Sequence, residues 1–92
     1  MEIIFSNKAK EDLLFWKKSG NKGVQKKIRE LLEDISEHPF SGIGKPEELK
    51  GNLTGFWSRR ITKEDRLVYT IIYKVENEVI SVLSLKGHYE GI

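Results

Sequence analysis

Residues 44–69, GKPEELKGNLTGFWSRRITKEDRLVY, decide the fold. A loop stiffened by Pro46 carries Glu47 toward an apolar-aromatic run, residues 53–61, that reads as a strand. The run ends in the pair Arg59-Arg60, and the charged segment 62–65 reverses the chain into a second strand that opens on Arg66. Alternation continues through Leu67, Tyr69, Ile71 and Tyr73, with Val68 and Ile72 making the opposite face apolar as well. That pattern suits a central strand covered by helices on one side. One carboxylate and three guanidiniums thus gather at the ends and edges of a short hairpin, a combination suited to holding a phosphodiester and taking a proton from a hydroxyl beside it.

Upstream of the hairpin the period changes. Glu2–Phe5 reads as a short buried strand, and Ser6 or Asn7 can cap a helix after it. Ala9, Leu13 and Trp16 recur at helical spacing until Gly20 stops the run. Asn21 can cap a second helix, whose Val24, Ile28, Leu31, Leu32 and Ile35 fall on one face, with lysines, an arginine and glutamates opposite. Pro39 ends it, with His38 in its last turn, where positive charge is favoured. Residues 40–51 read as a Gly/Pro loop, 75–78 as a turn and 79–85 as a last strand, with His88-Tyr89 just beyond. The order β-α-α-β-β-β predicts an α+β fold in which a helical hairpin packs on a mostly antiparallel sheet.

Composition narrows the function. The 92 residues allow one domain and a small core, and 33% charged residues with 38% hydrophobic ones describe a compact globular chain. No cysteine is present, so disulfides and thiolate metal sites are excluded, and the two histidines, His38 and His88, are far apart in sequence. No metal or cofactor is expected. There is no 18-residue apolar run, and the opening residues are strand-like, so neither a membrane helix nor a secretory signal is expected and cytoplasm is the expected location. A net charge of +2 is too small to argue for nucleic-acid binding by bulk charge. Any RNA contact must come from local clustering of Lys45, Lys50, Arg59, Arg60, Lys63 and Arg66.

Each candidate has a functional and a plain reading. Glu47 is either a general base or an ordinary surface glutamate. Arg59 and Arg60 are adjacent on a strand and point to opposite faces, so both reach one ligand only if the strand bulges or ends there. Otherwise one lies at the surface and the other stacks on an aromatic. Arg66 either snorkels to solvent or clamps a phosphate with paired hydrogen bonds. His88 is suited to proton transfer near neutral pH, and Tyr89 to stacking on a base. Asp65 and Glu64 read as parts of a solvated turn.

With GKPEELK, NLTGFWSRRI, RLVY and the closing GHY, the sequence resembles the YoeB (Txe) toxins of the RelE/ParE superfamily over nearly its whole length. It departs from them in a longer connection between Tyr73 and Val79 and in the tail Glu90-Gly91-Ile92. The resemblance implies a microbial-ribonuclease-like, RelE-like fold and a toxin of a type II toxin–antitoxin pair. It further implies metal-free, ribosome-dependent cleavage of mRNA in the A site of the 30S subunit of the 70S ribosome, and a YefM/Phd-type antitoxin as partner. A homodimer is compatible with it. By position, Glu47 matches the general base, Arg66 the phosphate-stabilising arginine, His88 the general acid and Tyr89 the stacking tyrosine. Lys50 and Arg60 match ancillary RNA contacts. Two other readings stay open at this point: a ParE-like gyrase inhibitor and a non-catalytic RNA- or protein-binding module.

Overall fold

A computed structural model describes residues 1–87. The elements run β1 (Glu2–Phe5), α1 (Asn7–Ser19), α2 (Lys22–Glu37), β2 (Glu47–Glu48), β3 (Trp57–Arg60), β4 (Arg66–Tyr73) and β5 (Glu78–Ser84). They build a five-stranded sheet in the order β1-β5-β4-β3-β2. β1 joins β5 in parallel, and every other pairing is antiparallel. The α+β class and the central place of β4 agree with the periodicity.

Local chemistry accounts for both helices. The Ser6 hydroxyl oxygen accepts from the Ala9 N–H at 3.0 Å and the hydroxyl donates to the Leu83 carbonyl at 2.6 Å, so one side chain caps α1 and ties it to β5. Gly20, in the left-handed region at φ 72°, closes α1. One residue later the Asn21 side chain caps α2 by accepting from the Val24 N–H at 3.0 Å. From α2, Val24, Ile28, Leu31 and Ile35 are buried against Leu67, Tyr69 and Ile71 of β4 and Ile80 and Val82 of β5. Leu32 lies at the margin of that core. Trp16 is buried with its indole N–H donating to the Leu85 carbonyl at 2.8 Å. Among the described residues, no helix is long and apolar enough to cross a membrane.

Two features of the hairpin region differ from the sequence expectation. The strand expected over 53–61 is only Trp57–Arg60, because a 3-10 turn at Gly51–Leu53 and two left-handed glycines, Gly51 (φ 65°) and Gly55 (φ 96°), break the extended run. Conversely, Glu47 does not lie in an irregular loop. Lys45 takes φ 51° just before Pro46, and the chain is thereby turned alongside β3, where Glu47-Glu48 forms the sheet's edge. The Leu49 N–H continues the pairing by donating to the Phe56 carbonyl at 2.9 Å. A two-residue edge strand limits the unpaired backbone offered to other chains.

Candidate active site

Alternation along β3 sends its two arginines to opposite sides of the sheet. Arg59 points to the helices and is fully buried. All five of its N–H donors are used. Nε donates to the Tyr69 hydroxyl at 3.2 Å; Nη1 donates to the Asp34 carboxylate and, at 3.0 Å, to the Ile43 carbonyl; Nη2 donates to the carbonyls of His38 at 2.6 Å and Ser41 at 2.9 Å. Tyr69 in turn donates to the Pro39 carbonyl at 2.6 Å, and the Arg60 N–H donates to the Gly44 carbonyl at 2.7 Å. Segment 38–44, which has no secondary structure to satisfy its carbonyls, is thus held by β3 and β4. It passes so close to α2 that a Cβ at Gly42 would fall 2.0 Å from Asp34 Oδ2, and one at Gly44 2.6 Å from Leu31 Cδ2. This clamped segment leads directly to Glu47.

Arg59 is therefore not an RNA contact: its charge is matched by Asp34 inside the fold, and its guanidinium has no donor left for a ligand. The aromatic contact allowed by the plain reading is present, with the guanidinium carbon 5.8 Å from the Tyr69 ring centroid. Burial pushes the Tyr69 hydroxyl's pKa up, against the pull of Arg59. The hydrogen bond from Arg59 holds the Asp34 carboxyl below its ordinary 3.8, helped by the Ile43 N–H and opposed by partial burial. A depressed folded-state pKa contributes stability that is present above the unfolded value and lost as pH falls through the folded one. Denaturation midpoints measured between about pH 6 and pH 2 should decline in acid. Asp34→Asn should lower the neutral-pH midpoint and flatten that decline; an unchanged acid limb in the variant would assign the pH dependence to other groups.

The opposite face of the sheet, turned away from the helices, carries the remaining candidates. Glu47 of β2 stands across from Ser58 of β3, and Arg60 of β3 stands directly across from Arg66 of β4. Facing partners share a side of the sheet, so Glu47, Ser58, Arg60 and Arg66 project together. Glu47 and Arg60 are diagonal neighbours at about 7–8 Å, a spacing that two long side chains can bridge through a ligand. Two cations directly opposite one another repel, and a bound anion relieves that repulsion. Arg60 is exposed and Arg66 half-buried. Arg66 Nη1 donates to the carbonyls of Thr62, Lys63 and Asp65 at 3.1–3.2 Å, which fixes the guanidinium over the turn. Lys50, also exposed, lies three residues beyond Glu47 at the start of the 3-10 turn. His88 and Tyr89 lie outside the described residues.

Two structural acids, one buried and one half-buried, escaped the sequence reading. Asp12 is buried in α1, paired with Lys8 at 2.9 Å, and accepts the Leu85 N–H at 2.8 Å. Its signal was present, since an acid three residues after Ala9 and four before Trp16 sits within the apolar stripe. Asp34, beside the apolar face of α2, had no comparable signal, because its partner is 25 residues away in sequence.

Comparison with known proteins bears on the family and the fold. Toxin YoeB of Escherichia coli (strain K12) is 45% identical over 89 residues, covering 97% of this chain and all of the relative. The solved YoeB/ParE toxin from Agrobacterium tumefaciens superposes with a TM-score of 0.90 at 35% identity, covering 97% of this chain and 100% of that one. The Staphylococcus aureus YoeB has been solved as a dimer (TM-score 0.84) and as a YoeB–YefM complex (TM-score 0.82), in each case at 47% identity with 97% of this chain and 98% of that one covered. Residues 5–89 match the family described as YoeB-like toxin of bacterial type II toxin-antitoxin system. With the match running nearly from end to end and the fold shared, the chain belongs to the YoeB-like toxins of bacterial type II toxin–antitoxin systems.

Proposed function

We propose that the face of the sheet turned away from the helices cuts mRNA held on the ribosome. The observation that carries this reading is the placement of Glu47 on the same face as the cross-strand pair Arg60–Arg66. Glu47, as general base, takes the proton from a ribose 2′-OH, and the oxygen attacks the adjacent phosphorus. Arg66, already oriented by its turn contacts, stabilises the charge that grows on the phosphoryl oxygens, with Arg60 and Lys50 assisting. The bond to the 5′ oxygen breaks, and His88 supplies the proton that the departing oxygen needs. Tyr89 stacks on a base beside the cleavage site. The products are a 2′,3′-cyclic phosphate end and a 5′-OH end. The roles of His88 and Tyr89 rest on their match to the family's closing His-Tyr.

The ribosome enters through orientation. In-line attack requires the 2′-OH, phosphorus and leaving oxygen to be nearly collinear, and free single-stranded RNA seldom presents that geometry. Correct positioning can remove about 7–11 kcal/mol of barrier. A chain with a net charge of +2 holds naked RNA weakly, so the A site of the small subunit supplies the alignment. The expected result is cleavage of ribosome-bound mRNA many times faster than cleavage of the same naked RNA at one salt concentration. Equal rates would remove the ribosome from the mechanism. Inhibited gyrase supercoiling with intact mRNA would replace the nuclease reading by a ParE-like one.

The same reading extends to partners. The S. aureus relative is seen with YefM and as a dimer. For this chain we assign a YefM/Phd-type antitoxin whose acidic segment folds on binding and covers Arg60 and Arg66, together with self-association and a cytoplasmic site of action.

A further inference from the structure

Beyond Ser84 the chain leaves the β5 ladder, and residues 85–87 are held by individual contacts instead. Leu85 is fixed through both of its backbone polar groups: its N–H donates to Asp12 Oδ2 and its carbonyl accepts from the Trp16 indole, each at 2.8 Å. Gly87 is fixed in the same manner two residues on. Its N–H donates to Asp65 Oδ1 and its carbonyl accepts from the Arg66 N–H, each at 2.9 Å. The second oxygen of Asp65 accepts from the Thr62 hydroxyl at 2.8 Å, and Thr62 Oγ1 accepts from the Asp65 N–H at 3.0 Å. One carboxylate therefore joins the β3–β4 turn, which orients Arg66, to the residue immediately before His88.

Resting on the proposed nuclease activity, we infer that Asp65 is a positioning residue for Arg66: its carboxylate ties the turn that holds the guanidinium to Gly87, just past the end of β5. A β5 bulge supports the need for such a bracket. Between Val68 and Tyr69 the partner in β5 jumps from Ser84 to Val82, and Val68–Ser84 is the last regular pair before Arg66. Strand pairing alone does not carry the register to residue 87. Asp65 and the Arg66 backbone complete it, and the phosphate-stabilising guanidinium of Arg66 needs that register, because a misplacement of about 1 Å can cost about 10²-fold in rate.

The test compares Asp65→Ala, Asp65→Asn and Thr62→Val with the wild-type chain. Asparagine keeps an oxygen acceptor for the Gly87 N–H but loses the acceptor for the Thr62 hydroxyl, whereas alanine removes both. Asp65→Ala should lower kcat on ribosome-bound mRNA by roughly 10²-fold with KM little changed. Amide exchange at Gly87 should accelerate while the amides of α2 and β4 stay protected. Asp65→Asn, which keeps the bond to Gly87, should slow Gly87 exchange again and recover part of the lost kcat. Wild-type kcat in Asp65→Ala, a change confined to KM, or unchanged Gly87 exchange would overturn the inference. If Asp65→Ala fails to fold, Thr62→Val, which cuts the bracket at its other end, decides: lower kcat with faster Gly87 exchange supports the role, and wild-type values of both refute it. A wild-type chain that cuts no mRNA would refute the nuclease reading and the catalytic half of this inference, while Gly87 exchange would still decide whether Asp65 holds Gly87 to the turn.

Discussion

Glu47→Gln is expected to lower the rate on ribosome-bound mRNA by roughly 10²–10⁴-fold while leaving thermal stability unchanged. Glutamine keeps the size and the extended backbone but cannot accept a proton at neutral pH. Glu47 is exposed, sits on a two-residue edge strand and makes no hydrogen bond or ion pair to a described side chain. Substitutions at such positions shift stability by no more than about 0.5 kcal/mol. A loss of activity would therefore report chemistry. It should fall on kcat, because the removed interaction matters only as the 2′-OH gives up its proton. Any residual product should still carry a 2′,3′-cyclic phosphate. Cleavage at near wild-type rate would show that another group takes the proton.

Arg59→Ala is expected to cost about 3–5 kcal/mol, the range for removing one member of a buried charge pair. A domain of this size has a total stability of about 5–15 kcal/mol, so the variant loses a large share of it. The cause is what the substitution leaves behind. Asp34 becomes an unmatched carboxylate, and the carbonyls of His38, Ser41 and Ile43 lose their donor in a segment without regular structure. The melting temperature should fall by more than about 10 °C. Arg60→Ala, one residue further along the same strand, should move it little, because Arg60 is exposed. If Arg60 assists the phosphate, that variant should instead lose cleavage. Equal melting temperatures for the two variants would contradict the division of labour between the neighbouring arginines.

That division shows where local information stops. The two helices, their caps at Ser6 and Asn21, the stop at Gly20 and the central place of β4 follow from short-range physics. Capping chemistry acts over three residues, and 3.6- and 2-residue periods select faces within a single element. The same alternation required Arg59 and Arg60 to face opposite ways. It carried no information on which of them would meet the helices. Only the packing of α2 on the sheet, which brings Asp34 within reach of residue 59, decided that Arg59 is structural and Arg60 faces outward. Glu47 was legible as a candidate acid, but its strand was not, because two residues show no period and the pairing depends on Ser58 and Trp57 across a 3-10 turn. Asp65 read as a solvated turn residue for the same reason: its partner Gly87 lies 22 residues away. Within an element, periodicity and capping were enough, whereas partners distant in sequence were chosen only when the folded sheet brought them together, since the contacts that satisfy a buried charge or an unpaired N–H do not exist until the chain closes on itself.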